Sequence, residues 1–139
     1  MMVLDTSGLF AAIDAGQRQH EEVRQALEAD PGPFLLSPFV LAEIDYLLGT
    51  RVGVDAQLSL LDEVARGAYQ LESFGAEDVE LAGRLVRRYR DLRIGLADAS
   101  LVVLAERAGT NRILTLDERH FRALRSLRGR RLKLLPSDA

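Results

Sequence analysis

Five acidic residues stand at positions from which a small α/β protein could do chemistry. Asp5 closes the apolar run Met1–Leu4 and is followed by Thr6, Ser7 and Gly8. Asp117 follows the apolar run 112–115, and Asp98 opens an otherwise apolar stretch reaching Ala108. Glu43 and Asp45 lie inside the segment that begins Ser37-Pro38. If carboxylates from these places converge, mutual repulsion raises their pKa values, and a divalent cation converts that repulsion into coordination. Oxygen-only ligands favour hard cations, so Mg²⁺ or Mn²⁺ is the expected ion. The chain has no cysteine, which excludes thiolate metal sites, cysteine nucleophiles and disulfides.

Each acid also has a purely structural explanation. Asp5 can cap the helix expected to begin near Gly8, and Asp98 gains from the dipole of its helix. Thr115 to Glu118 has the spacing of a capping box, which would make Asp117 part of a helix start. Glu43 is the least comfortable, because its helical neighbours Phe39, Val40, Tyr46 and Leu47 are all apolar. Asp45 sits among Leu41, Ala42 and Leu48, so helical spacing alone does not separate the two.

The elements that must position these residues alternate. Apolar runs at 1–4, 34–36, 69–71, 112–115 and 131–135 read as strands, and helical spacing marks the segments between them. Ser37-Pro38 is a strong helix start, for a helix running to about Leu48 and ending at Gly49. The segment 54–65 should present Leu58, Leu61 and Val64 as its apolar stripe. Segments 76–89, 98–108 and 118–124 complete the helices. Such alternation implies a mostly parallel sheet of four or five strands between two layers of helices, in one domain over 1–139. Ligands of such sheets bind beyond the carboxyl ends of the strands, where strand order reverses, and Asp5 and Asp117 could both reach that crevice.

Charge is unevenly spread. Residues 1–83 hold four arginines against fifteen acids, whereas residues 84–139 hold fourteen basic residues against six acids, concentrated at 84–93 and 119–133. That asymmetry suits a polyanionic or acidic partner, although solvated helix faces would produce it too. No signal-peptide pattern and no membrane-length apolar run is present, so a cytoplasmic protein is expected. His20, among Gln19, Glu21 and Glu22, reads as plain surface.

Four segments together resemble the PIN-domain ribonucleases, specifically the VapC toxins of type II toxin–antitoxin pairs. They are VLDTSGLFA at Val3–Ala11, SPFVLAEIDYLL at Ser37–Leu48, GLADASLVVLA at Gly95–Ala105 and ILTLDERHF at Ile113–Phe121. Their order and spacing carry the likeness over nearly the whole chain. The resemblance implies a three-layer α/β/α PIN domain and an acidic quartet of Asp5, Glu43, Asp98 and Asp117, and it prefers Glu43 to Asp45. It implies Mg²⁺- or Mn²⁺-dependent hydrolysis of structured RNA, a tRNA or rRNA loop. Asp5 and Asp98 would then be principal metal ligands, Glu43 a ligand or an orienter of water, and Asp117 a second-metal or water-mediated ligand. Thr6 and Thr115 fall where the family often has a hydroxyl beside the acids, and Arg119 and His120 become candidates for holding RNA. A VapB-type antitoxin and a homodimer are the implied partners. The competing reading is a non-catalytic PIN-like module that binds RNA or protein. A phosphoryl-transfer enzyme fits poorly, because the second Asp two residues after Asp5 is missing and the only lysine is Lys133.

Overall fold

The computed structural model describes residues 1–139. In chain order the elements are β1 (Met2–Leu4), α1 (Thr6–Ile13), α2 (His20–Ala29), β2 (Phe34–Leu36), α3 (Pro38–Arg51), α4 (Val54–Ala65) and β3 (Gln70–Leu71). They continue with α5 (Ala76–Arg88), a 3-10 turn (Arg90–Leu92), α6 (Leu96–Ala108), β4 (Arg112–Leu114), α7 (Glu118–Ala123) and β5 (Lys133–Leu135). The five strands form one sheet in the order β3-β2-β1-β4-β5, every pair parallel. The expected α/β/α layering is therefore present, and the sheet is wholly parallel.

β1 lies at the centre, its Val3 registered with Leu35 of β2 and Ile113 of β4. All three β1 residues are buried, as a strand covered by helices on both faces requires. Successive strands lie on one side of β1 through β2 and β3, then on the other through β4 and β5. The reversal of order thus falls between β1 and β4, and Asp5 and Asp117 leave the sheet on its two sides. α1 enters this junction so closely that a Cβ on Gly8 would lie 2.6 Å from the Leu114 carbonyl oxygen. Only glycine lets the first turn of α1 press against the end of β4.

Several local expectations are corrected. α3 does not stop at Gly49 but runs to Arg51, and Gly49 instead leaves room for Gln57 of α4, whose Oε1 would be 3.0 Å from a Cβ there. The core-facing side of α4 is Leu60 with Ala56 and Val64, while Leu58 and Leu61 are exposed. α6 begins at Leu96, which places Asp98 at its third residue. α1 begins at Thr6, and the Asp5 side chain makes no cap bond to it. His20 is not plain surface: its Nδ1 lies 2.7 Å from the Ala11 carbonyl, joining α2 to α1. No helix is long and apolar enough to cross a membrane.

Candidate active site

Asp5 is the most enclosed acid of the crevice, with 6% of its surface exposed. Its Oδ2 accepts hydrogen bonds from the Thr115 hydroxyl at 2.7 Å and the Ser7 hydroxyl at 2.9 Å. Each hydroxyl has one hydrogen, so the 3.2 Å approach of Ser7 to Thr115 adds no third bond while both donate to the carboxylate. Both hydroxyls are aimed by backbone groups of the loop after β4: the Leu116 N–H donates to Ser7 Oγ and the Asp117 N–H to Thr115 Oγ1. Even so, burial dominates and pushes the Asp5 carboxyl up to about 6, and the charge of Asp98 pushes the same way.

Asp98 extends this field. It is raised first by its own burial and then by the charges of Asp117 and Glu43, while the Gly95 N–H and His120 pull it down. Asp5, Glu43, Asp98 and Asp117 therefore belong to one electrostatic neighbourhood. In the side-chain positions described, no three of them meet at a single metal-sized point. Glu43 is drawn to the Thr6 hydroxyl at 2.6 Å, and Asp117 to the backbone N–H and Nδ1 of His120 at 3.2 and 2.8 Å. Glu43 and Asp117 are each held by local partners, and the charges of the four acids act on one another through Asp98.

The positions of Glu43 and Asp45 separate what helical spacing could not. Asp45 points toward α4, where its Oδ1 accepts from Gln57 Nε2 at 2.8 Å. Glu43 lies on the face of α3 toward α1 and the crevice. The α3 helix is set against α6 by a buried pair of hydroxyls, Ser37 and Ser100, 2.8 Å apart. Ser100 gives its hydrogen to the Ala97 carbonyl, so Ser37 donates to Ser100 while accepting the Phe39 N–H that caps α3. This pair fixes the helix bearing Glu43 relative to the one bearing Asp98.

Thr6 and Thr115 each bond a crevice acid, as just described. Thr115 does not open a capping box; Asp117 is the cap of α7, and Thr115 instead supports Asp117 and Asp5. Arg119 is exposed and His120 half-buried, its imidazole held above the ordinary histidine range by the bond to Asp117. Sequence reasoning missed Ser7, whose place between Asp5 and Gly8 signalled a helix start but not a carboxylate ligand. It also missed the Ser37–Ser100 pair, which joins residues too far apart in the chain for any local pattern to show.

The donor set suits a hard cation. Its atoms are all oxygens, Asp5 Oδ1 accepts no side-chain bond in the structure, and burial and the charge of Asp98 both disfavour ionising Asp5 without a counter-charge. Beside Glu43 runs a cleft of about 500 Å³. Thr6, Ser7, Gln17, Glu43 and Arg51 line it together with Phe10, Tyr46, Leu47 and Leu116.

Comparison with known proteins agrees with this fold. The PIN domain family model matches residues 2–127. Ribonuclease VapC26 of Mycobacterium tuberculosis is 49% identical over 135 residues, 97% of this chain and 100% of that protein. Among solved structures, the sarcin–ricin loop cleaving toxin VapC20 of M. tuberculosis superposes with a TM-score of 0.78 at 22% identity, over 84% of this chain and 90% of the other. VapBC2 of Rickettsia felis, bound to a DNA fragment from its promoter, superposes at 0.67 and 20% identity, over 91% and 94%. The second pair of likenesses speaks for the fold; the first two establish that this chain belongs to the PIN-domain family, among its VapC ribonucleases.

Proposed function

We propose that the chain is a metal-dependent endoribonuclease toxin that hydrolyses phosphodiester bonds in the loop of a structured tRNA or rRNA. The observation that carries this reading is the setting of Asp5, a buried carboxylate at the strand-order reversal, wired to two hydroxyls and raised by burial beside a second acid. Asp5 and Asp98 would hold a Mg²⁺ or Mn²⁺ ion, with Glu43 and Asp117 as further ligands or as acceptors that orient water. A bound ion lowers the pKa of water from about 16 toward neutrality and offsets phosphate charge. Ser7 and Thr115 fix the orientation of Asp5, and Thr6 holds Glu43 until the crevice is filled. No residue of the chain need form a covalent intermediate.

The partner we propose is a small antitoxin of the VapB type. The cleft beside Glu43 combines apolar Phe10, Tyr46, Leu47 and Leu116 with that carboxylate, so a segment lying in it could bring a guanidinium to Glu43. Such a group forms paired hydrogen bonds with carboxylates and competes with a metal for them. A homodimer is proposed through exposed apolar residues such as Val54, Leu58 and Leu61 of α4.

The test is cleavage of total RNA with Mn²⁺ by the wild type and by Asp98→Asn. The reading predicts cut ends at one or a few loops, lost in the variant and in EDTA. Equal cleavage by both proteins would overturn it and leave a PIN-like binding module.

A further inference from the structure

Six of the seventeen arginines of this chain pair with one of its acids and eleven do not. Arg24, Arg84, Arg107, Arg112, Arg122 and Arg128 are each engaged by an acid of the protein. Of these eleven, Arg87, Arg88, Arg90 and Arg93 are exposed and crowd into seven residues, where Asp91 is the only carboxylate. Arg87 and Arg88 occupy the last turn of α5, where a cation complements the helix dipole and needs no further reason. Arg90 and Arg93 lie beyond the helix and have no such role.

The turn that carries them is tied to the crevice. The Tyr89 hydroxyl accepts the Arg125 N–H at 3.3 Å, joining the turn to the segment that follows α7. Two residues after Arg93, Gly95 opens the helix bearing Asp98. Arg93 itself adopts φ 53°, ψ 43°, a left-handed conformation that glycine takes freely and side chains take rarely. The chain keeps a long cationic side chain where backbone preference favours none.

Resting on the ribonuclease reading, we infer that Arg90 and Arg93 form a phosphate-binding rim that grips the RNA backbone at the Asp98–Asp117 edge of the crevice. An acidic centre repels the polyanion it must cut, and two uncommitted guanidinium groups on an anchored turn offset that repulsion. Their contacts are to phosphates, so they set affinity and its salt dependence and carry little sequence preference.

The probe is a fluorescein-labelled RNA hairpin with an unpaired loop, followed by anisotropy in EDTA across a NaCl series so that binding is read without metal-dependent cleavage. Arg90→Ala/Arg93→Gly should flatten the slope of log affinity against log salt by about 1.4, roughly 0.7 for each lost contact, and weaken binding about tenfold at low salt. Its melting temperature should not fall, because glycine suits position 93. Arg66→Ala/Arg130→Ala, which removes as many exposed arginines, one of them beside Gly109 at the end of α6 remote from Asp98, should leave the slope unchanged. An unchanged slope in the first variant, an equal loss in the second, or a wild type that does not bind the hairpin would overturn the rim. So would loss of a co-purified protein partner with RNA binding intact, which would make the turn a protein-docking surface. Mn²⁺-dependent cleavage by the wild type and not by Asp98→Asn tests the ribonuclease reading separately.

Discussion

Two aspartates lie at opposite ends of the central sheet with nearly the same burial, 6% of the surface exposed for Asp5 and 7% for Asp30, and their carboxyls are shifted in opposite directions. Burial pushes both up. At Asp30 that push is outweighed by the Met1 α-amino group at 2.9 Å, the Gly32 N–H at 2.8 Å and the Arg112 guanidinium at 3.0 Å, and the carboxyl ends below its ordinary value. At Asp5 the chain supplies hydroxyls but no cation, and the nearest charge is another acid, so the carboxyl stays up at about 6. Where the fold needs a buried carboxylate for structure it provides positive charge from its own residues. At Asp5 it provides orientation only, which is what a site for an added cation calls for.

The largest effect that could break this contrast is on activity. Asp5→Asn should reduce RNA cleavage on the order of 10³-fold or more, because the ligand charge is lost. The same variant should be more stable than the wild type without metal at pH 7.5, since Asn can still accept from Ser7 and Thr115. An Asp5→Asn protein that is both active and less stable would refute the assignment. Asp30→Asn should do the reverse. Chemical denaturation should show a loss of about 3 kcal/mol from the broken ion pairs, while the folded protein keeps cleaving.

Ser7→Ala and Thr115→Val each remove one hydroxyl from Asp5. Each should weaken Mn²⁺ binding about 10- to 100-fold by calorimetry, as loss of a group that orients a ligand does. Variants that bind Mn²⁺ as the wild type does would show that the hydroxyls serve packing alone.

The pH dependence sharpens the contrast further. Because the folded-state pKa of Asp5 is raised from 3.8 to about 6, its protonated form contributes stability that is fully present below about pH 3.8 and lost as pH rises through 6. Without metal, that loss amounts to roughly 2–3 kcal/mol by pH 7.5. Asp30 has the opposite sign, its contribution being present at neutral pH and lost on acidification. Mn²⁺ should therefore raise the melting temperature more at pH 7.5 than at pH 5. The smallest effect belongs to Asp45→Asn, which should leave cleavage within about twofold and cost under about 1 kcal/mol for its bond to Gln57.

Asp5 and Asp117 were legible in the sequence because the end of a parallel strand is a place that sequence marks well, by an apolar run stopping at a polar residue. Glu43 and Asp45 were not separable, since their helical neighbours are equally apolar and the deciding contact comes from Gln57 on another helix. Hydrophobic spacing in α4 pointed to Leu58 and Leu61, yet the core takes Leu60, because that helix carries apolar residues on more than one face. Gly49 looked like a helix stop and serves close packing. The Asp30 ion pair with Arg112 spans 82 residues, and no local pattern announces it.

The central claim, that Asp5 must ionise to take up a divalent cation, is tested most directly by Mn²⁺ titration calorimetry at pH 6 in two buffers of different ionisation enthalpy. With a carboxyl near 6, binding should release about half a proton per site, falling toward zero at pH 8, and Asp5→Asn should show neither the proton release nor the wild-type affinity. Equal Mn²⁺ affinity in wild type and Asp5→Asn, with no proton released at pH 6, would contradict the account.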